Sequence, residues 1–94
     1  MRIFERNKKM KLEPAELKTT SFYIKQKGIE DGFILEVIET KAMFEAWIYH
    51  AEYGIKSLMF GLMKEDTTYN DFIEAATANL MEYITDYIEQ YFEV

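Results

Sequence analysis

Apolar and polar positions change period once along this chain. From residue 20 to residue 63 they alternate with a period near two. From residue 68 to residue 92 they recur with a period near 3.6. Successive residues of a strand point to opposite faces, while a helix gathers every third and fourth residue on one side. The pattern therefore predicts a sheet followed by a helix.

The helical stretch is the clearest. At about 100° per residue, Tyr69, Phe72, Ile73, Ala76, Leu80, Met81, Tyr83, Ile84, Tyr87, Ile88, Tyr91 and Phe92 share one broad side. Asp71, Glu74, Glu82, Asp86, Glu89 and Glu93 fall on the other. Thr68 and Asp71 have the spacing of a capping box, which makes Thr68 the expected N-cap. No proline or glycine interrupts the run, so one long amphipathic helix is expected over 68–92.

Upstream, four segments alternate. The first covers 20–26, where Phe22 and Ile24 oppose Tyr23 and Lys25. A turn over 27–32 contains Gly28 and Asp31-Gly32. The second strand covers 33–40, with Phe33, Leu35 and Val37 on one face. The third covers 43–51. Its Ala, Met and Glu content would also suit a helix capped by Thr40 and closed by Gly54. Trp47-Ile48-Tyr49 and the turn at 52–54 favour a strand. The fourth covers 55–63, with Leu58, Phe60 and Leu62 opposite Ile55, Met59 and Met63. Gly61 inside this run suggests a bulge or a close approach by the helix.

Short connections join sequential neighbours, so the sheet should be a meander of order 1-2-3-4. The expected fold is α+β: a four-stranded antiparallel sheet with one long C-terminal helix packed on one face. The helix-facing side should carry Phe22, Ile24, Phe33, Leu35, Val37, Phe44, Ala46, Ile48, Leu58, Phe60 and Leu62.

Composition narrows the class. Residues 1–94 suit a single domain, and 49% hydrophobic content argues for a packed core rather than disorder. Cysteine is absent, which excludes disulfides and thiolate metal sites. Residues 1–13 read as a basic arm, with no apolar stretch of the kind a secretory signal needs. No apolar run approaches the roughly 20 residues of a membrane span. A cytoplasmic protein with no membrane partner is expected.

The net charge of −6 conceals a gradient. Residues 1–27 carry eight basic and three acidic side chains, a net +5. Residues 28–64 carry −3, and residues 65–94 carry eight acidic side chains and no basic one. An acidic helix face partly neutralised by the chain's own basic arm is one reading; docking of a basic protein partner is the other. Nucleic acid is not an expected partner, since everything beyond the arm repels phosphate.

Candidate chemistry is sparse. His50 is the only histidine and has no second ligand for a zinc site. Ser21 and Ser57 are the only serines, and neither has the surroundings of a nucleophile elbow. Glu36 and Glu45 interrupt apolar strand faces and would share a face if the second and third strands pair. The glycines form no phosphate loop. No enzyme activity and no cofactor are expected.

The leading expectation is a non-catalytic protein-interaction module, regulatory or inhibitory, using an acidic helix face and an aromatic surface. A phage- or mobile-element-type inhibitor that imitates nucleic-acid charge at a host nuclease is an alternative. A small ligand-binding protein or enzyme using Glu36, Glu45 or His50 is another. Candidate interaction residues are Trp47, Tyr49, Glu82, Asp86, Tyr87, Glu89 and Tyr91. The second sheet face is unusually apolar for a wet face, and a 25-residue helix of about 37 Å would outrun strands of about 25 Å. Both features point to a homodimer with Trp47, Tyr49, Tyr87 and Tyr91 at or near its interface.

Overall fold

The computed structural model describes residues 11–92. The proposed arm therefore lies mostly outside the described residues, as does Glu93.

Four strands form one antiparallel sheet of order β1-β2-β3-β4: β1 (Lys18–Tyr23), β2 (Phe33–Glu39), β3 (Met43–His50) and β4 (Ser57–Met63). A short 3-10 turn at Lys64–Asp66 leads into α1 (Tyr69–Ala78) and α2 (Leu80–Tyr91). The α+β meander read from the alternation is the observed fold. The strand reading of the third segment holds. Thr40 does cap something there, but it is a hairpin: its Oγ1 accepts from the Met43 N–H at 2.9 Å, and its own N–H donates to the Met43 C=O at 2.9 Å. The strands begin or end up to three residues from their expected bounds. β1 starts at Lys18 and stops at Tyr23, though the Ile24 N–H still donates to the Phe33 C=O at 3.1 Å.

Two local features depart from the simple pattern. In β4 the ladder pairs Ala46 with Phe60 and then Trp47 with Leu58, which leaves Met59 unpaired as a β-bulge. A bulge inserts one residue and reverses the alternation beyond it. Met59 therefore enters the core at 6% exposure, while Leu58 turns to the opposite face at 51%. The bulge falls two residues before Gly61, which itself faces Glu45 across the ladder, on the side away from the helices.

The second departure is in the helix. Thr68 caps α1 as expected, accepting from the Asp71 N–H at 3.1 Å. The ladder then breaks at Asn79. The Asn79 N–H donates to the Ala76 C=O at 3.2 Å, a three-residue step. The Asn79 amide donates back to the Ala75 C=O at 2.8 Å. Asparagine competes with the helix for its own backbone in this way, so two shorter helices replace the single long one.

Both helices pack on one sheet face. Phe72 and Ala76 of α1, and Leu80, Ile84 and Tyr87 of α2, are buried against Phe33, Leu35, Val37, Phe44, Ala46 and Ile48. Phe72 meets Phe44 at 5.4 Å and Phe60 at 5.1 Å between ring centroids. Truncating a buried phenylalanine such as Phe72 costs about 3–5 kcal/mol. Three residues expected in this core lie outside it: Phe22, Leu58 and Leu62 are exposed. Leu58 is displaced by the bulge. Phe22 sits on β1, the edge strand that the helices leave uncovered, with all six of its residues exposed.

Candidate functional site

The helix-free face of the sheet is built by register. Tyr23 stands opposite Ile34, Ile34 opposite Tyr49, Glu36 opposite Trp47, and Trp47 opposite Leu58. These side chains form one continuous surface across all four strands. An antiparallel sheet with one wet face ordinarily carries polar residues there. Here Tyr23 and Met63 are exposed, Leu58 joins them because of the bulge, and Trp47 and Tyr49 are half-buried.

Two carboxylates sit within this aromatic surface, and each is engaged. Glu36 is buried and accepts from Lys56 Nζ at 2.8 Å. The Lys56 ammonium also lies 5.3 Å from the centre of the Tyr49 ring. The hydrogen bond to Glu36 holds the Lys56 pKa above the ordinary lysine value, against the opposing effect of burial. Glu45 accepts from the Trp47 indole N–H at 3.0 Å. The two carboxylates do share a face, as the alternation implies, but each has its own partner. The face as a whole is an apolar and aromatic platform around one compensated ion pair.

His50 lies at the other end of the sheet, 4% exposed. Its Nδ1 accepts from the Glu52 N–H at 3.2 Å, which places the proton of the neutral ring on Nε2. Nε2 then donates to the Asp31 C=O at 3.1 Å. Both nitrogens are committed to the backbone of two turns, and the ring is packed edge-on to Phe33 and Phe92. This is a structural clasp. Nothing in it leaves a ring nitrogen free for a substrate or a metal. Among the described residues no cluster of three metal-ligating side chains occurs, and no helix is long and apolar enough to cross a membrane.

The helical candidates divide. Glu82, Asp86 and Glu89 lie exposed on α2 and extend the acidic surface begun by Asp71 and Glu74 on α1. Tyr87 does not belong with them. Its ring is buried, its hydroxyl donates to the Ile55 C=O at 2.7 Å, and the hydroxyl oxygen accepts from the His50 N–H at 3.3 Å. Tyr91 is half-buried against it, with ring centroids 4.6 Å apart. The helix end does not project as its length implies. The break at Asn79 lets α2 end over the β3–β4 turn, where Phe92 packs on Tyr53 at 4.6 Å. Tyr87 and Phe92 are needed by the chain's own core and turn, so the aromatic helix end is no free surface.

Sequence reasoning assigned no role to Lys56 and placed Leu58 on the wrong face. Lys56 falls within the expected 55–63 run but lies just before β4 in the structure, and the bulge that turns Leu58 leaves no mark in the hydrophobic pattern. Comparison with protein-family models, curated proteins and solved structures finds no match to this chain.

Proposed function

We propose that the chain is a non-catalytic protein-interaction module that presents the helix-free sheet face to a partner protein. The observation that carries this reading is the exposure of Tyr23, Leu58 and Met63 around the Glu36–Lys56 pair. Apolar side chains grouped on one exposed face are characteristic of binding surfaces, and tyrosine and methionine are enriched there. The engagement of Glu36, Glu45 and His50 supports a binding role over a catalytic one, because none is presented to a cleft with a free reactive atom.

The acidic helical layer sets the kind of partner. Asp71, Glu74, Glu82, Asp86 and Glu89 have no basic residue among them on either helix. They favour a protein with a basic surface, steering encounter while the apolar platform supplies affinity. A regulatory or inhibitory role follows if the partner's own active surface is what the platform covers.

Affinity purification with mass spectrometry, run in parallel on the wild-type chain and on Leu58→Lys, tests the reading. Leu58 is exposed, so the variant should fold. A partner recovered with the wild type, lost with the variant and weakened by salt is the expected result. The same proteins recovered from both would reject the sheet face as the site.

A further inference from the structure

We infer that a second copy of this chain pairs antiparallel along the outer edge of β1, which no described residue pairs, extending the sheet through a twofold axis perpendicular to it. This edge adjoins the sheet face proposed above and shares only Tyr23 with it, so the two can fail separately.

The backbone makes the first case. The Ile24 N–H donates to Phe33 on β2. Ladder groups alternate along a strand, so Lys18, Thr20 and Phe22 turn inward to β2. Thr19, Ser21 and Tyr23 then aim their N–H and C=O groups outward. Among the described residues nothing pairs with them. Natural proteins blunt such edges with proline, bulges or inward charges. The opposite edge, β4, is blunted by the bulge at Met59. β1 carries no proline, its pairing with β2 is regular throughout, and its one charge, Lys18, stands at its first residue.

The groove beside β1 makes the second case. Thr20 and Phe22 of β1 and Tyr69, Ile73, Glu74 and Thr77 of α1 line a largely apolar trough of about 680 Å³. An axis perpendicular to the sheet keeps both helical layers on one side. The two troughs then merge over the paired strands and are closed by the two copies of α1.

Charge selects a second copy as the occupant. α1 carries Asp71 and Glu74 and no basic residue, whereas Lys18, Lys25 and Lys27 mark β1 and the turn after it. With Thr20 opposite Thr20 of the second copy, each Lys18 stands opposite the other chain's Phe22, beside its Glu74. The same register sets Leu17 opposite Tyr23 on the helix-free face, twice. Leu17 is 53% and Tyr23 73% exposed in the single chain. A symmetric contact needs this kind of self-complementarity.

Sedimentation equilibrium of the full chain is the test. The expected mass at micromolar concentration is twice the 11.2 kDa of one chain. Ser21→Pro removes an outward N–H and no β1–β2 bond, so it should leave a folded monomer by circular dichroism. Lys18→Glu and Glu74→Lys should each weaken the dimer about tenfold or more, and the double variant should restore it. A wild-type mass of one chain would overturn the proposal. So would a dimer whose affinity ignores both Ser21→Pro and the charge reversals. Should Ser21→Pro fail to fold, the charge swap alone decides.

Discussion

The imidazole of His50 occupies the space that a side chain on Gly32 would need. A Cβ built on Gly32 would lie 2.6 Å from His50 Nε2, and Gly32 itself has φ +110°. Glycine at this position meets two demands at once: a backbone conformation that other residues rarely adopt, and room for the clasp that joins the two turns. Gly32→Ala should therefore cost at least about 2 kcal/mol. For a domain of this size that lowers the thermal midpoint by roughly 8 °C or more. Gly54, also at positive φ but with nothing near its missing Cβ, should respond less to alanine. Calorimetry on the two variants checks the order.

Tyr87 ties α2 to the β3–β4 turn through one hydroxyl, which bonds Ile55 and His50 together. Tyr87→Phe keeps the ring and its packing and leaves a C=O and an N–H without their partner. The expected cost is about 1–2 kcal/mol. A urea titration should show a lower midpoint with an unchanged slope, since the surface exposed on unfolding stays the same. A variant as stable as the wild type would mean that water replaces the hydroxyl at both backbone groups.

Two ion pairs give the stability a pH dependence at both extremes. Glu39 accepts from Lys64 Nζ at 2.6 Å; this hydrogen bond, and then the charges of Lys64 and Lys18, hold its pKa below the usual glutamate value against the effect of burial. A depressed carboxyl binds protons more weakly in the folded chain than in the unfolded one. Its contribution is complete above about pH 4.3 and is lost as pH falls through the lower folded value. Lys56 has the opposite sign. Its pKa is raised by Glu36, so its contribution is complete below about pH 10.4 and is lost as pH rises through the higher folded value. Urea midpoints measured across pH should fall at both ends. Lys64→Met should flatten the acid limb, and Glu36→Gln the alkaline limb.

The bulge in β4 predicts a reversal between neighbours. Met59 is inside and Leu58 outside. Met59→Ala should cost about 2–4 kcal/mol, whereas Leu58→Ser should change stability by less than about 1 kcal/mol. Simple alternation from Phe60 would assign these costs the other way round. Phe60 itself is half-buried against Phe72, so its truncation should cost less than that of Phe72. Equal losses at 58 and 59 would reject the bulge.

What the sequence determined by itself is the set of elements and their order. Alternation, turn glycines and β-branched residues mark four strands, and short connections leave a meander as the simplest pairing. The apolar period over 68–92 and the Thr68 cap mark a helical segment, because backbone sterics and capping act over a few residues. Whether an edge is covered, a ladder slips or a hydroxyl finds a partner depends on residues distant in the chain. Thus tertiary structure alone turned Leu58 outward, drew Tyr87 into the core to meet Ile55, and set His50 between Asp31 and Glu52. It also left β1 outside the helical layer, whereas the break at Asn79 is local, made by one side-chain amide that gives no sign in the periodicity. The platform of Tyr23, Trp47 and Leu58 was legible only in part, since its outline rests on a bulge of one residue.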